Sequence, residues 1–169
     1  MSARRRVLGV DPGLTITGYG IVDAAPAGRD ATIAAMGTIR PKAKRTRAER
    51  LAEIFDGIRD LIDEHHPDEV AVEQQFVAQN VRSALAIGEA RAAVMVAAAS
   101  NGIPVYEYAP TAIKETVAGY GGAPKEQVQQ MVMAQLSLKE EPSPLDVSDA
   151  LAIALTRCAE AHLEELIAR

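Results

Sequence analysis

The sequence has few of the residues that build cross-linked or zinc-binding sites. Of its 169 residues one is cysteine and none is tryptophan, and the aromatic fraction is 4%. A single cysteine excludes a disulfide within the chain, and the position of Cys158 in an apolar run predicts a buried thiol in a reducing compartment. The core therefore has to be built mainly from aliphatic side chains.

The sequence also lacks long hydrophobic runs and an excess of positive charge. No apolar stretch reaches the roughly 20 residues that span a bilayer, and residues 1–6 are not followed by the hydrophobic segment of a signal peptide. We therefore expect a cytoplasmic protein that does not contact a membrane. The net charge of −5 counts against a protein that coats nucleic acid through a uniformly basic surface.

Positive charge is concentrated in one short segment, which we call the basic tract. Within eleven residues that include a single acid, Glu49, it contains Arg40, Lys42, Lys44, Arg45, Arg47 and Arg50. Two interpretations stay open from the sequence, a solvated loop that leads into a helix and a flap that contacts phosphates.

The hydrophobic pattern predicts a mixed α/β domain over residues 1–169. Strands are predicted at residues 6–11, 17–22, 32–39, 69–73 and 105–108, and helices at 46–65, 81–101 and from about Pro110, Lys125 and Pro144. The first three strands are close enough for an antiparallel meander, whereas strands joined through helices run parallel. This order predicts a mixed five-stranded sheet with helices on both faces.

Two acids come at the ends of predicted strands. Asp11 closes the first strand and is followed by Pro12 and Gly13, and Glu73 closes the fourth. If these strands are adjacent and parallel, both carboxylates reach the same edge of the sheet and can share a cation. For Asp11 a simple turn role is the alternative, because Asp-Pro-Gly is ordinary turn chemistry.

Two further acids lie at the start of the last predicted helix. Ser143 as N-cap and Pro144 as first helical residue would give Asp146 the place of the acid in a capping box. Asp149 lies one turn further on, on the same side of the helix, among apolar residues. No lysine or arginine is near it in sequence, so we expect a metal ion as its partner.

Four carboxylates without clustered cysteine or histidine favour Mg²⁺ over zinc, with Mn²⁺ as a substitute. Two such ions bridged by carboxylates can generate hydroxide and stabilise the leaving oxygen in phosphodiester hydrolysis. The residues alone thus predict a hydrolytic metal site formed by Asp11, Glu73, Asp146 and Asp149.

The order and spacing of these motifs resemble the RuvC family of Holliday junction resolvases from about Val7 to Cys158. The resemblance is carried by Gly9-Val10-Asp11-Pro12-Gly13, Thr17-Gly18-Tyr19-Gly20, Val72-Glu73-Gln74-Gln75-Phe76 and the run from Asp146 to Ala154. It implies a ribonuclease H-like fold, a homodimer, Mg²⁺ dependence and paired nicking of two strands at a four-way DNA junction. Some relatives carry histidine at the position that matches Asp146.

The resemblance adds three DNA-binding residues and two protein partners. Phe76 matches an aromatic residue that grips the junction, with core packing as the alternative, and Lys114 and Lys125 match lysines near the active site, which alone would be taken for solvated surface charges. The branch-migration proteins RuvA and RuvB are the partners that the family implies. The alanine-rich helix after Asn80 can pack on the sheet or on a second subunit, and the resemblance favours the second subunit.

Three other functions are alternatives to junction cleavage. An actin-like nucleotide-binding domain also opens with a strand and an Asp-x-Gly turn, but it needs two such domains to enclose its nucleotide. A related nuclease acting on RNA or on other DNA would share the fold and the acids. A DNA-binding module without catalysis is disfavoured by four acids, which repel a phosphate backbone unless metal neutralises them.

Overall fold

The computed structural model describes residues 4–25, 30–74 and 80–168. Its strands are β1 (Arg5–Asp11), β2 (Thr17–Ala24), β3 (Thr32–Ile39), β4 (Glu69–Glu73) and β5 (Val105–Tyr108). Its helices are α1 (Arg47–His65), α2 (Val81–Ser100), α3 (Pro110–Ala118), α4 (Lys125–Gln135) and α5 (Leu145–Ile167). These elements match the predicted order.

The strands form one five-stranded sheet in the order β3-β2-β1-β4-β5. The β1–β2 and β2–β3 pairs are antiparallel, and the β1–β4 and β4–β5 pairs are parallel. Strands β1, β3, β4 and β5 therefore all end at the same edge, which we call the carboxyl edge. The predicted mixed sheet is confirmed, and Asp11 and Glu73 both lie at this edge.

Alternation along the strands divides the core into two layers. Val7 packs in a cluster with α5, whereas its neighbour Leu8 packs in a second cluster with α1 and α2. Because successive side chains of a strand point to opposite faces, Asp11 shares the α5 face with Val7 and Glu73 shares it with Ala71. Both acids thus face the helix that carries Asp146 and Asp149.

The helix boundaries follow local capping chemistry, with one correction. Helix α1 begins with a capping box between Thr46 and Glu49 and ends at His66, which has left-handed backbone geometry. Helix α5 begins at Leu145 with Pro144 as N-cap and no side-chain cap. The predicted capping box of Ser143 and Asp146 is wrong, because the helix starts one residue later than the N-cap preference of serine suggested.

Helix α5 packs unusually close to β1 and β2 because glycines face it. A Cβ atom added at Gly9 would lie 2.2 Å from the carbonyl oxygen of Ala150, and one added at Gly18 would lie 2.2 Å from that of Asp146. No side chain fits at either position while the helix stays in place. The glycines thus set the distance between α5 and the strand that ends in Asp11.

The second half of α5 is tied to the sheet by a buried cation. The side chain of Arg157 is 1% exposed, pairs with Glu69 of β4 at 2.7 Å and lies over the ring of Tyr106 of β5 at 3.6 Å. Its other nitrogens pair with Glu160 and Glu164 on its own helix. Removing one partner from such a buried pair leaves an uncompensated charge, so the network fixes α5 against β4.

Helix α2 corrects the expectation that no segment is long and apolar enough to span a membrane. It has 20 residues and a mean hydropathy of 1.3, which meets both criteria, although it also contains Arg82, Glu89 and Arg91. The expectation failed because alanine raises the mean hydropathy of α2 although the helix has few large apolar side chains. One face of the helix, with Ala90 and Val94, is buried against α1 and the sheet.

Gly9→Ala is expected to destabilise the protein by about 1–3 kcal/mol or more, because the added methyl group collides with the backbone of α5. Urea unfolding in the absence of metal measures the change. Gly121→Ala is the control, since its Cβ would have no neighbour closer than 3.5 Å. Equal stability of the two variants would contradict the close approach of α5 and β1.

Candidate active site

A cavity of about 230 Å³ opens at the carboxyl edge between the sheet, α3, α4 and α5. Its polar lining consists of Asp11, Glu73, Asp149, Lys114 and Lys125. Strands β1 and β4 supply the first two acids, and α5 brings the third across from the opposite side. Three of the four predicted acids and both predicted lysines therefore meet in one place.

Asp11 is the most electrostatically strained of these groups. Burial, followed by the negative charges of Asp149, Asp146 and Glu73, raises the pKa of its carboxyl to about 7. Only Lys125 acts in the opposite direction among the causes. A carboxylate so placed is costly to ionise without a nearby cation, which is the electrostatic condition of a metal ligand.

The same effects act on Glu73 more weakly. Burial and the charge of Asp149 raise the pKa of its carboxyl, while Lys125 and Lys114 lower it. Glu73 is thus placed between the acids and the lysines of the cavity.

Asp149 is not the unpaired buried acid that we expected from the sequence. Its side chain is 35% exposed, and its Oδ2 atom lies 3.0 Å from the Nζ atom of Lys125. The pairing was missed because Lys125 is 24 residues away, at the start of α4. The ion pair holds a positive charge against the acids and raises the pKa of the lysine ammonium.

Asp146 lies at the rim and does not line this cavity. It lines a neighbouring, more open cavity of about 400 Å³ together with the β1–β2 turn and the start of α2. Its charge still contributes to the raised pKa of Asp11. Asp146 therefore belongs to the electrostatic cluster but faces its outer side.

The remaining predicted site residue, Phe76, lies outside the described residues. The described chain stops at Gln74, whose backbone N–H donates to the carbonyl oxygen of Tyr108 at 2.7 Å, and it resumes at Asn80.

Arg91 of α2 is a functional candidate that the sequence reasoning missed. Its Nε donates to the backbone carbonyl of Glu73 at 3.1 Å, and its guanidinium also pairs with Glu107 of β5. Arg91 thus fixes the backbone of Glu73, the last residue of β4, without using the Glu73 carboxylate. An arginine in the middle of an alanine-rich helix, beside a residue that the structure buries (Ala90), was the signal that could have found it.

Thr17 has a similar supporting role beside Asp11. Its hydroxyl group is fully buried, donates to the carbonyl oxygen of Gly13 at 2.8 Å and accepts from the N–H of Gly13 at 3.1 Å. These bonds close the turn that follows Asp11 and so fix where β1 leaves the sheet.

The donor set fits a hard divalent cation. All four acids offer oxygen ligands, and their mutual repulsion at Asp11 is the situation that a bound cation relieves. Within the described ranges no trio of acidic, histidine or cysteine side chains stands ready around one point, so binding would require the acids to turn inward. Cys158 offers no alternative nucleophile, because burial raises the pKa of its thiol to about 12.

Comparison with known proteins decides the family. The model of the family described as crossover junction endodeoxyribonuclease RuvC matches residues 7–157. The chain belongs to the RuvC family. RuvC of Chromohalobacter salexigens is 51% identical over 89% of this chain and 78% of its own length, and RuvC of Moorella thermoacetica is 48% identical over 88% of each chain. A crossover junction endodeoxyribonuclease is thus the enzyme class of this RuvC chain.

Solved structures agree with this assignment. The structure of Thermus thermophilus RuvC in complex with a Holliday junction substrate superposes with a TM-score of 0.89 at 38% identity, covering 95% of this chain and 96% of that one. The yeast mitochondrial resolvase Ydc2, at 14% identity and a TM-score of 0.66, covers 96% of this chain and 83% of its own and shares the fold alone. The fold of this RuvC chain is the predicted ribonuclease H-like one.

Asp11→Asn is expected to stabilise the metal-free protein above neutral pH. The folded state holds the Asp11 proton more tightly than the unfolded chain does, so this carboxyl lowers stability as pH rises from about 4 to about 7. The neutral amide of asparagine removes this loss of stability at high pH. Thermal unfolding in EDTA should give a higher Tm for the variant at about pH 8 and equal values near pH 4. A lower Tm for the variant at pH 8 would contradict a raised pKa of Asp11 caused by burial and by the neighbouring acids.

Proposed function

We propose that this chain resolves four-way DNA junctions by metal-dependent hydrolysis of one phosphodiester in each of two strands, in homologous recombination and repair. The observation that carries the proposal is the joint presence of Asp11, Glu73, Asp149, Lys114 and Lys125 around one open cavity at the carboxyl edge. Acids suited to metal and lysines suited to phosphate are the two components that such hydrolysis needs.

We assign metal binding to Asp11, Glu73, Asp146 and Asp149. Mg²⁺ is the proposed ion, with Mn²⁺ as substitute, because every donor is a hard carboxylate oxygen. Two ions per site are proposed because a pair of cations bridged by carboxylates suits phosphodiester hydrolysis. Bound metal supplies an activated water and stabilises the charge that develops on the leaving oxygen. Asp11 is central because the other three acids all act on it.

Lys114 and Lys125 are assigned to phosphate binding. They are the two cations that line the cavity, and both lower the pKa of Glu73, so their charges act within the site. Lys125 is not a general base at neutral pH, because its pairing with Asp149 raises the pKa of its ammonium group. Phe76 is proposed, from the family resemblance alone, to stack on a base near the crossover for about 1–3 kcal/mol.

The closest competing function is a ribonuclease H-like nuclease that acts on RNA or other DNA. Family membership and the structure of Thermus thermophilus RuvC in complex with a Holliday junction substrate support junction DNA. An assay with a labelled four-way junction, a linear duplex and an RNA–DNA hybrid, each with and without Mg²⁺, separates these substrates. Symmetric cutting of the junction alone is the expected result.

Asp11→Asn and Asp149→Asn are each expected to lower junction cleavage at least ~100-fold, a barrier increase of about 2.7 kcal/mol, because they remove charge that holds metal. Asp146→Asn is expected to lower cleavage less than either, since Asp146 faces the outer side of the cluster. Single-turnover cleavage in Mg²⁺ measures all three.

Asp60→Asn on the exposed surface of α1 is the matched control and should cut at the parent rate. Normal Mg²⁺-dependent cutting by Asp149→Asn would remove Asp149 from the site. Loss of cutting in Asp146→Asn equal to that of Asp149→Asn would make Asp146 a full member of the metal site.

A homodimer formed through α2 is the proposed assembly. On the face of α2 that turns away from the sheet, apolar residues three, four or seven apart are exposed: Val81, Leu85, Ala92, Val96 and Ala99. This spacing keeps them on one side of the helix, and small residues among them allow a second helix to approach closely. Two-fold symmetry of the enzyme matches two symmetric cuts.

Leu85→Glu combined with Val96→Glu is expected to weaken dimerisation by at least ~100-fold, because it would bury unpaired carboxylates between the two helices. The monomer should stay folded, since both side chains are more than half exposed. Sedimentation velocity measures the assembly. Met131→Glu on α4, also at an exposed apolar residue, should leave the dimer intact, and an unchanged dimer in the double variant would contradict the proposed contact.

Three further expectations rest on the family resemblance or on composition. We propose that RuvA and RuvB act with this chain on the junction, that residues 1–169 form one domain, and that the protein works in the cytoplasm without contact with a membrane. Action on DNA is what supports the location.

A further inference from the structure

The basic tract follows β3 at the same edge of the sheet as the acids. Ile39, the last residue of β3, pairs with Thr17, where the chain returns from the turn after Asp11. Arg40 therefore emerges beside that turn. The tract then passes to α1, which packs on the face of the sheet opposite α5.

Most charges of the tract have no acidic partner in the described ranges. Arg45 pairs with Glu49 and Glu53, and Arg47 pairs with Glu89 of α2. For the other four cations no ion pair is found among the described residues: Arg40, Lys42, Lys44 and Arg50. A protein of net charge −5 thus carries several positive charges without an ion-pair partner among the described residues beside its active site.

Two details separate the tract from an ordinary solvated loop. The Nε atom of Arg50 is buried without a hydrogen-bond partner in the described structure, so its guanidinium is partly desolvated and still unmatched. The tract is also held in shape, since the backbone N–H of Lys42 donates to Glu53 at 2.9 Å and Pro41 is buried. Held backbone keeps Lys42 and Lys44 turned to solvent at a fixed place.

The distance from the acids suits a DNA duplex. Strands β1 and β3 are two positions apart in the sheet, a separation of about 10 Å, and the tract continues from the end of β3 towards α1. The major groove of DNA is about 12 Å wide. A backbone phosphate at the acids and another across a groove of the same arm would therefore span from the cavity to the tract.

We propose that the basic tract is a second phosphate-binding surface, which holds the backbone of a junction arm across a groove from the cleaved phosphate. The proposal rests on the proposed junction cleavage and extends its binding surface. Lys42 and Lys44 contact phosphates directly, and Arg45 and Arg47 serve mainly to hold the tract in place through their acids. Contacts to phosphates carry no sequence information, so the proposed contribution of this surface is independent of DNA sequence.

The test is the salt dependence of junction binding in Ca²⁺, with the variant Lys42→Gln/Lys44→Gln. Each phosphate contact contributes about 0.9 to the slope of log affinity against log salt, so the double variant should lower the slope by about 1.8. Arg4→Gln/Arg59→Gln is the control. It removes the same charge at exposed residues, one at the opposite end of the sheet and one some 18 Å along α1 from Arg47.

An unchanged salt slope in the double variant would overturn the proposal. An equal fall of the slope in the control pair would also overturn it, because the change in net charge alone would then explain the effect. Cleavage by the parent keeps the two hypotheses apart. If the parent cuts junctions and the double variant binds with the parent slope, only the basic tract loses its role. If the parent cuts no junction, the proposed function itself fails.

Discussion

The close approach of α5 to β1 and β2 is the constraint on which the site depends. Glycines at positions 9 and 18 leave room only for backbone against backbone, and this brings the first two turns of α5 over the end of β1. Asp149 and Asp146 are thereby close enough to Asp11 to raise its pKa. The buried Arg157 fixes the other half of the same helix on β4, the strand that ends in Glu73.

The electrostatics of the site follow from this packing. Burial and the three neighbouring acids raise the pKa of Asp11, and Lys125 compensates only part of the negative charge by pairing with Asp149. The arrangement is destabilising in isolation and favourable when a cation is present. The ionised carboxylate of Asp11 thus lowers the stability of the metal-free fold while it favours cation binding. Such perturbed groups are common at functional sites.

The sequence was informative wherever a local pattern determined the outcome. Strand order followed from apolar runs and turns, and the acids at strand ends followed from the position of Asp11 and Glu73 along the chain. Contacts between residues distant in sequence could not be predicted in this way, which is why the Lys125–Asp149 pair and the role of Arg91 were missed. The start of α5 was misplaced because capping preference is a weak guide near two prolines.

Through Arg91, helix α2 connects its exposed apolar face with the active site. Its guanidinium holds the backbone carbonyl of Glu73, while the far side of the same helix carries the exposed apolar face with Leu85 and Val96. A shift of α2 would therefore move the arginine that holds the last residue of β4. In the proposed dimer, the helix that forms the subunit contact is thus also the helix that positions the backbone of Glu73.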